Sequence, residues 1–98
     1  MIQQLSRWGT FLNTRELGRE VREQLLSSIQ HDVIVIVDFS GIELTSQSFA
    51  DEVFGKLVIE IGLENITKKF RLANVSPDIG SVIKYVMHER WKETVSNK

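Results

Sequence analysis

The plainest pattern in the chain is a helical one. Leu17, Val21, Leu25, Leu26 and Ile29 recur every three or four positions, the spacing that places side chains on one face of an α-helix. Arg15, Arg19 and Arg22 alternate with Glu16, Glu20 and Glu23 on the remaining positions, which reads as a solvated face. Asn13, followed three residues later by Glu16, has the form of a capping box and sets the start of this helix. The period then changes. Residues 33–37 read Val-Ile-Val-Ile-Val, β-branched throughout and without alternation, as in a strand covered on both faces in a parallel sheet. Asp38 and Phe39 end this strand and Ser40-Gly41 turns the chain.

Beyond residue 46 the helical period returns. Phe49, Ala50, Val53, Phe54, Leu57, Val58 and Ile61 form a wide apolar stripe, with Ser46 or Ser48 as cap and Gly62 as stop. Residues 69–75 make a second strand with Phe70, Leu72 and Asn74 on one side. Ser76-Pro77 is a helix-start signal, a serine cap with proline in the first turn. The helix it opens buries Ile79, Val82, Ile83, Val86, Met87 and Trp91 and runs to about residue 95. Residues 2–5 and 10–12 are short strand candidates joined near Gly9, and residues 96–98 should fray. Strands alternating with about three helices predict an α/β layer fold with right-handed crossovers, in one domain spanning residues 1–98.

Composition adds exclusions. Twelve basic against thirteen acidic residues leave a formal net charge of −1, which argues against a nucleic-acid binder or a binder of anionic membranes. With no cysteine there is no disulfide, thiolate nucleophile or cysteine-zinc site, and with only His31 and His88 no multi-histidine metal site. No apolar stretch has the length of a signal peptide or a spanning helix, so the expected location is the cytoplasm.

In open α/β sheets the usable crevice lies at the carboxyl ends of the strands. That edge carries Asp38, Ser40 and the run Thr45-Ser46-Gln47-Ser48, with Asn74 and Ser76 arriving after the next strand. A helix begins there, and its free amides favour negative charge. Serine at a helix start is also the commonest cap, so Ser46 and Ser48 read as capping residues before they read as functional hydroxyls.

The residues at this edge carry a resemblance. Val-Asp-Phe-Ser-Gly-Ile-Glu-Leu at 37–44, Ser-Phe-Ala-Asp-Glu-Val-Phe-Gly at 48–55 and Gly-Thr-Phe-Leu-Asn-Thr-Arg at 9–15 resemble the STAS-like domains of unknown function. These are small bacterial proteins related to the STAS domains of sulfate transporters and of anti-sigma-factor antagonists. The likeness covers residues 9–91. It implies a mixed sheet flanked by helices, with a signalling loop between a central strand and the following helix. In the anti-sigma-factor antagonists a partner kinase phosphorylates a serine of that loop, and the unphosphorylated form captures the kinase. Counting forward from Asp38 and Gly41, the family's aspartate falls on Ser46, its phosphorylated serine on Gln47 and the neighbouring serine on Ser48. Glutamine accepts no phosphate, so the usual switch is missing at its usual place. Ser46 or Ser48 takes it over only if the loop shifts by one.

Competing chemistry is thin. Ser48, Asp51 and a histidine do not make a triad without an elbow motif around the serine. Asp51 and Glu52 are adjacent in a helix and point about 100° apart, so they share no proton or metal. Lys68, Lys69 and Arg71, and Lys84, Arg90 and Lys92, read as ordinary solvated surface, and an exposed Trp8 would mark an interface.

The sequence therefore predicts a non-enzymatic regulatory interaction module without cofactor or metal. It would bind a kinase-like ATPase or another signalling protein through residues 40–52. Ser40, Ser46, Gln47, Ser48, Asp51, Asn74 and Ser76 are the contact candidates, and Ser48 and Ser46 the candidate phosphorylation sites. The alternative is a sensor of a small ligand, nucleotide or anion in the same crevice. A homodimer through a sheet edge or the first helix stays open.

Overall fold

The computed structural model describes residues 1–31 and 34–96. The described residues form five short strands and five α-helical segments. The strands are β1 (Ile2–Gln4), β2 (Phe11–Leu12), β3 (Val35–Asp38), β4 (Leu44–Thr45) and β5 (Phe70–Ala73). The helices are α1 (Arg15–Ile29), α2 (Gln47–Ala50), α3 (Lys56–Ile61), α4 (Leu63–Lys69) and α5 (Pro77–Ser96), with a 3-10 turn at Leu5–Trp8. A π-helical turn, Asp51–Gly55, joins α2 to α3, so residues 47–61 form one continuous helix with a local widening.

β3 is the central strand of a three-stranded sheet in the order β1-β3-β5, and β2 pairs with β4 in a separate two-stranded ladder. Every pairing among the described residues is parallel, where the family resemblance implies a mixed sheet. The carboxyl ends of β1, β3 and β5 therefore share one edge. Val35 and Val37 are fully buried, and with Leu5, Leu25, Phe49 and Phe54 they form the centre of the core. The opposite side of the sheet is largely open: Ile34 is exposed, Ile36 half-buried and Ile2 61% exposed. The expectation that residues 33–37 are covered on both faces is thus corrected, because the helices pack on the Val35–Val37 side. Val33, the expected first strand residue, and Asn97 and Lys98 of the expected frayed tail lie outside the described residues; Ser96 ends α5.

Four local details differ from the pattern reading. Thr14, not Asn13, caps α1, its Oγ1 accepting from the Leu17 amide at 3.1 Å. Both residues have capping side chains, and the pattern does not decide between neighbours. Residues 63–69 form the additional helix α4, which buries only Ile66 and so has no apolar stripe to announce it. In β5 Phe70 is buried but Leu72 is exposed at the sheet edge. Trp91 is exposed rather than part of the core, and its ring stacks on His88 at 5.9 Å between centroids.

Candidate functional site

Three groups of side chains collect where the strands end, and each has a different degree of freedom. The first closes the sheet edge. Asp38 Oδ1 accepts from the Ser40 amide at 3.0 Å, the Ser40 hydroxyl at 2.8 Å and Asn74 Nδ2 at 2.8 Å. Asn74 has a φ of 58°, a left-handed backbone that asparagine tolerates better than most residues. These bonds, the one from Asn74 foremost, hold the Asp38 carboxyl below its ordinary range. Ser40 and Asn74 are expected contacts, and both are occupied here: Asn74 ties the end of β5 to β3, and Ser40 closes the turn after β3.

The second group is the ion-pair cluster of the π-turn. Arg90 grips Asp51 with two nitrogens, Nε at 2.8 Å and Nη2 at 2.6 Å, and Arg15 Nη1 adds a third bond at 3.1 Å. Glu52, itself buried, accepts from Arg22 at 2.8 Å, Lys56 at 3.1 Å and Arg15 at 3.2 Å. Arg22 also reaches Glu60 at 3.0 Å. The two carboxylates diverge as neighbours on a helix must, Asp51 toward α5 and Glu52 toward α1. The Arg90 hydrogen bonds hold Asp51 below the usual carboxylate range against the opposing effect of burial. For Glu52 burial is the largest single influence and pushes upward, but Arg22, Lys56 and Arg15 together outweigh it and the net shift is downward. Two glycines make room. A Cβ on Gly18 would stand 2.8 Å from the Glu52 Cβ, and one on Gly55 would collide with the Asp51 carboxylate and lie 3.0 Å from Arg90 Cγ. Asp51, an expected contact, thus spends its charge on Arg90 and Arg15 as a strut of the fold, while it also lines the groove beside α5.

The third group is open. Ser46 caps α2, its Oγ accepting from the Phe49 amide at 3.1 Å, and Ser76 caps α5 through the Ile79 amide at 3.2 Å. Gln47 and Ser48 are exposed and make no side-chain hydrogen bond among the described residues. They face α5 across a groove. One part, about 460 Å³, is lined by Arg15, Gln47, Ser48, Asp51, Tyr85, Val86 and Glu89. A second, about 280 Å³, lies between Gln47 and Ser81, Val82 and Tyr85. A third, about 230 Å³, runs from Val82 to Glu43, Leu44, Thr45, Ser76, Asp78 and Ile79. Tyr85, 53% exposed, stands beside the first two parts.

Of the expected contacts, the groove brings together Gln47, Ser48, Asp51 and Ser76. It leaves out Ser40 and Asn74 and adds Ser81, Val82, Tyr85 and Glu89, which sequence reasoning missed. Tyr85 had a faint signal: it lies off the stripe of Ile79, Ile83 and Val86, and an aromatic outside the core register invites a second use. His88 is exposed on Trp91 and lines a different pocket with Leu63, Lys84 and Met87, away from Ser48. Trp8 is half-buried against the core, with the Arg7 guanidinium 4.3 Å above its ring. Among the described residues no three His, Cys, Asp or Glu side chains converge as metal ligands, and no helix is long and apolar enough to cross a membrane.

Searches of curated proteins and of solved structures find no match to this chain. A family profile does match, over residues 18–79, from the end of the first turn of α1 to the first turn of α5. This span holds β3, the loop to β4, the π-turn with its two carboxylates, and β5. On that match, the chain belongs to the family of STAS-like domains of unknown function.

Proposed function

We propose that the protein is a non-enzymatic interaction module of bacterial regulation, which docks a signalling protein in the groove between Gln47-Ser48 and α5. The observation that carries this reading is the contrast in satisfaction at the groove. Asp38, Asp51 and Glu52 are bound internally, whereas Gln47, Ser48 and Tyr85 are exposed together with their polar groups free for a partner. Amphipathic tyrosine beside adaptable amide and hydroxyl groups is a composition suited to protein contact. A kinase-like ATPase is the partner class the family relationship suggests. Gln47 stands where a switchable serine stands in the antagonists, and Ser48, exposed one residue on, is the better-placed acceptor for a phosphate. Ser46 spends its oxygen on the α2 cap.

The ligand-sensor alternative draws less support for an anion or nucleotide. The groove is lined by Glu43, Asp51, Asp78 and Glu89 against Arg15, an arrangement that repels phosphate.

The test is capture of the tagged full chain's partners from its native host, beside the double variant Gln47→Ala/Tyr85→Ala. A single prey retained by the parent chain and lost by a folded double variant supports the reading. Equal retention by both overturns it. Mass spectrometry of the bait reads Ser48 and Ser46 for phosphate in the same sample.

A further inference from the structure

The end of the groove beneath Ser76 has a chemistry of its own. It is lined by Glu43, Leu44, Thr45, Ser76, Asp78 and Ile79, with Val82 connecting it to the Tyr85 part. Two carboxylates stand here, Glu43 and Asp78, and neither has an ion-pair partner among the described residues. No basic side chain lines this part. A second observation is independent of charge. Thr45 is only 6% exposed and its Oγ1 has no hydrogen-bond partner, the one such buried side-chain atom among the described residues. A hydroxyl kept from water without a partner is unfavourable to the free fold, and a donor entering the pocket would relieve it.

We infer that this pocket receives the basic side chain, lysine or arginine, of an extended partner segment whose neighbouring residue lies against Tyr85. Leu44, Ile79 and Val82 supply apolar walls for the methylene stem, while the cationic head meets Glu43 and Asp78 and offers a hydrogen to Thr45. An anion at the α5 amino end is disfavoured, because Asp78 already occupies the first turn with negative charge. The inference rests on the groove being a protein-docking surface, and it specifies what the docked segment must carry.

The probe is a set of acetylated nonapeptides on one alanine-leucine-serine background, differing only at a central lysine, arginine, norleucine or glutamate. Each is titrated into the isotope-labelled full chain and followed by amide chemical shifts. Lysine and arginine peptides are expected to move the Glu43, Thr45 and Asp78 amides and to bind about tenfold more tightly than norleucine, with the advantage shrinking as salt is raised. Glu43→Gln/Asp78→Asn, both surface changes, should abolish that advantage while the spectrum stays that of the folded chain. Thr45→Val should weaken the lysine peptide yet raise the Tm of the free protein by about 4 °C, since it removes an unpaired hydroxyl at constant shape. Binding that is indifferent to the central residue but moves Gln47 and Tyr85 leaves the docking reading intact and overturns this inference. Silence from every peptide also overturns it, and partner capture then speaks for the docking reading alone.

Discussion

The helix of residues 47–61 holds two polar regions, one turn apart, that behave in opposite ways. At Asp51 and Glu52 every carboxylate oxygen finds a cationic partner, drawn from α1, α3 and α5. At Gln47 and Ser48 the side chains reach no partner at all among the described residues. Composition does not separate them, since all four are polar residues early in one helix. What separates them is placement: the π-turn that begins at Asp51 sets its carboxylates between neighbouring helices, whereas in the preceding turn Phe49 and Ala50 take the buried positions and leave Gln47 and Ser48 at the surface. Polar residues therefore mark a binding surface only after their internal partners have been counted.

The largest effect should come from breaking the satisfied region at its most buried point. Glu52→Ala strands Arg22 and Lys56 beside a vacancy and is expected to cost about 3 kcal/mol in urea unfolding, with Glu52→Gln intermediate. A loss within error of zero would mean that the cluster contributes no net stability. Arg90→Ala, which removes both bonds from α5 to Asp51, is expected to cost about 2 kcal/mol. It also tests the acid response. Asp51 and Glu52 both titrate lower in the folded chain than in the unfolded one. Their contribution is complete above the ordinary carboxylate range near pH 4 and is lost as pH falls through the depressed folded values. Arg90→Ala should flatten that acid limb, and a parallel limb would show that Asp51 is not its source.

Next in size is the cap that opens this helix, one residue before the open region. Ser46→Ala should cost about 1 kcal/mol in urea unfolding, whereas Ser46→Asp should restore stability. The smallest effect belongs to the open region. Gln47→Ala and Tyr85→Ala should each stay within about 0.5 kcal/mol of the parent, because neither side chain holds the fold together. A cost comparable to that of Glu52→Ala would place Tyr85 among the struts and erase the distinction.

Much of this architecture could be read without coordinates, and the reason is physical. α1, α5 and the helix of residues 47–61 bury broad stripes, so their period is written in Val21, Leu25, Phe49, Phe54, Ile79 and Ile83. The central strand was legible from its β-branched run, but its coverage was not, because Ile34 and Ile36 are as apolar as Val35 and Val37 and only packing decides which side the helices take. α4 was illegible since Ile66 alone anchors it. The site divided in the same way. Ser46 and Ser76 carry local cap signals, and the structure finds both capping. The groove depends on Tyr85 and Ser81 arriving from more than thirty positions away, and on Arg90 claiming Asp51, neither of which leaves a local mark.

The parallel pairing has a temporal consequence as well as a spatial one. Among the described residues no two adjacent strands are joined by a hairpin; each ladder links residues more than thirty positions apart, as Ile2 with Ile36, Phe11 with Leu44 and Val35 with Phe70. During synthesis β1 waits unpaired until β3 has left the ribosome, and β3 in turn waits for β5. Loop closure must precede any reward from sheet formation, which places the chain among the slower-folding domains of its size. Until β5 docks, the aliphatic β3 strand has a free edge and the rest of the nascent chain as its only cover. α1, complete before β3 and dense in charge, is the segment available to shield it first.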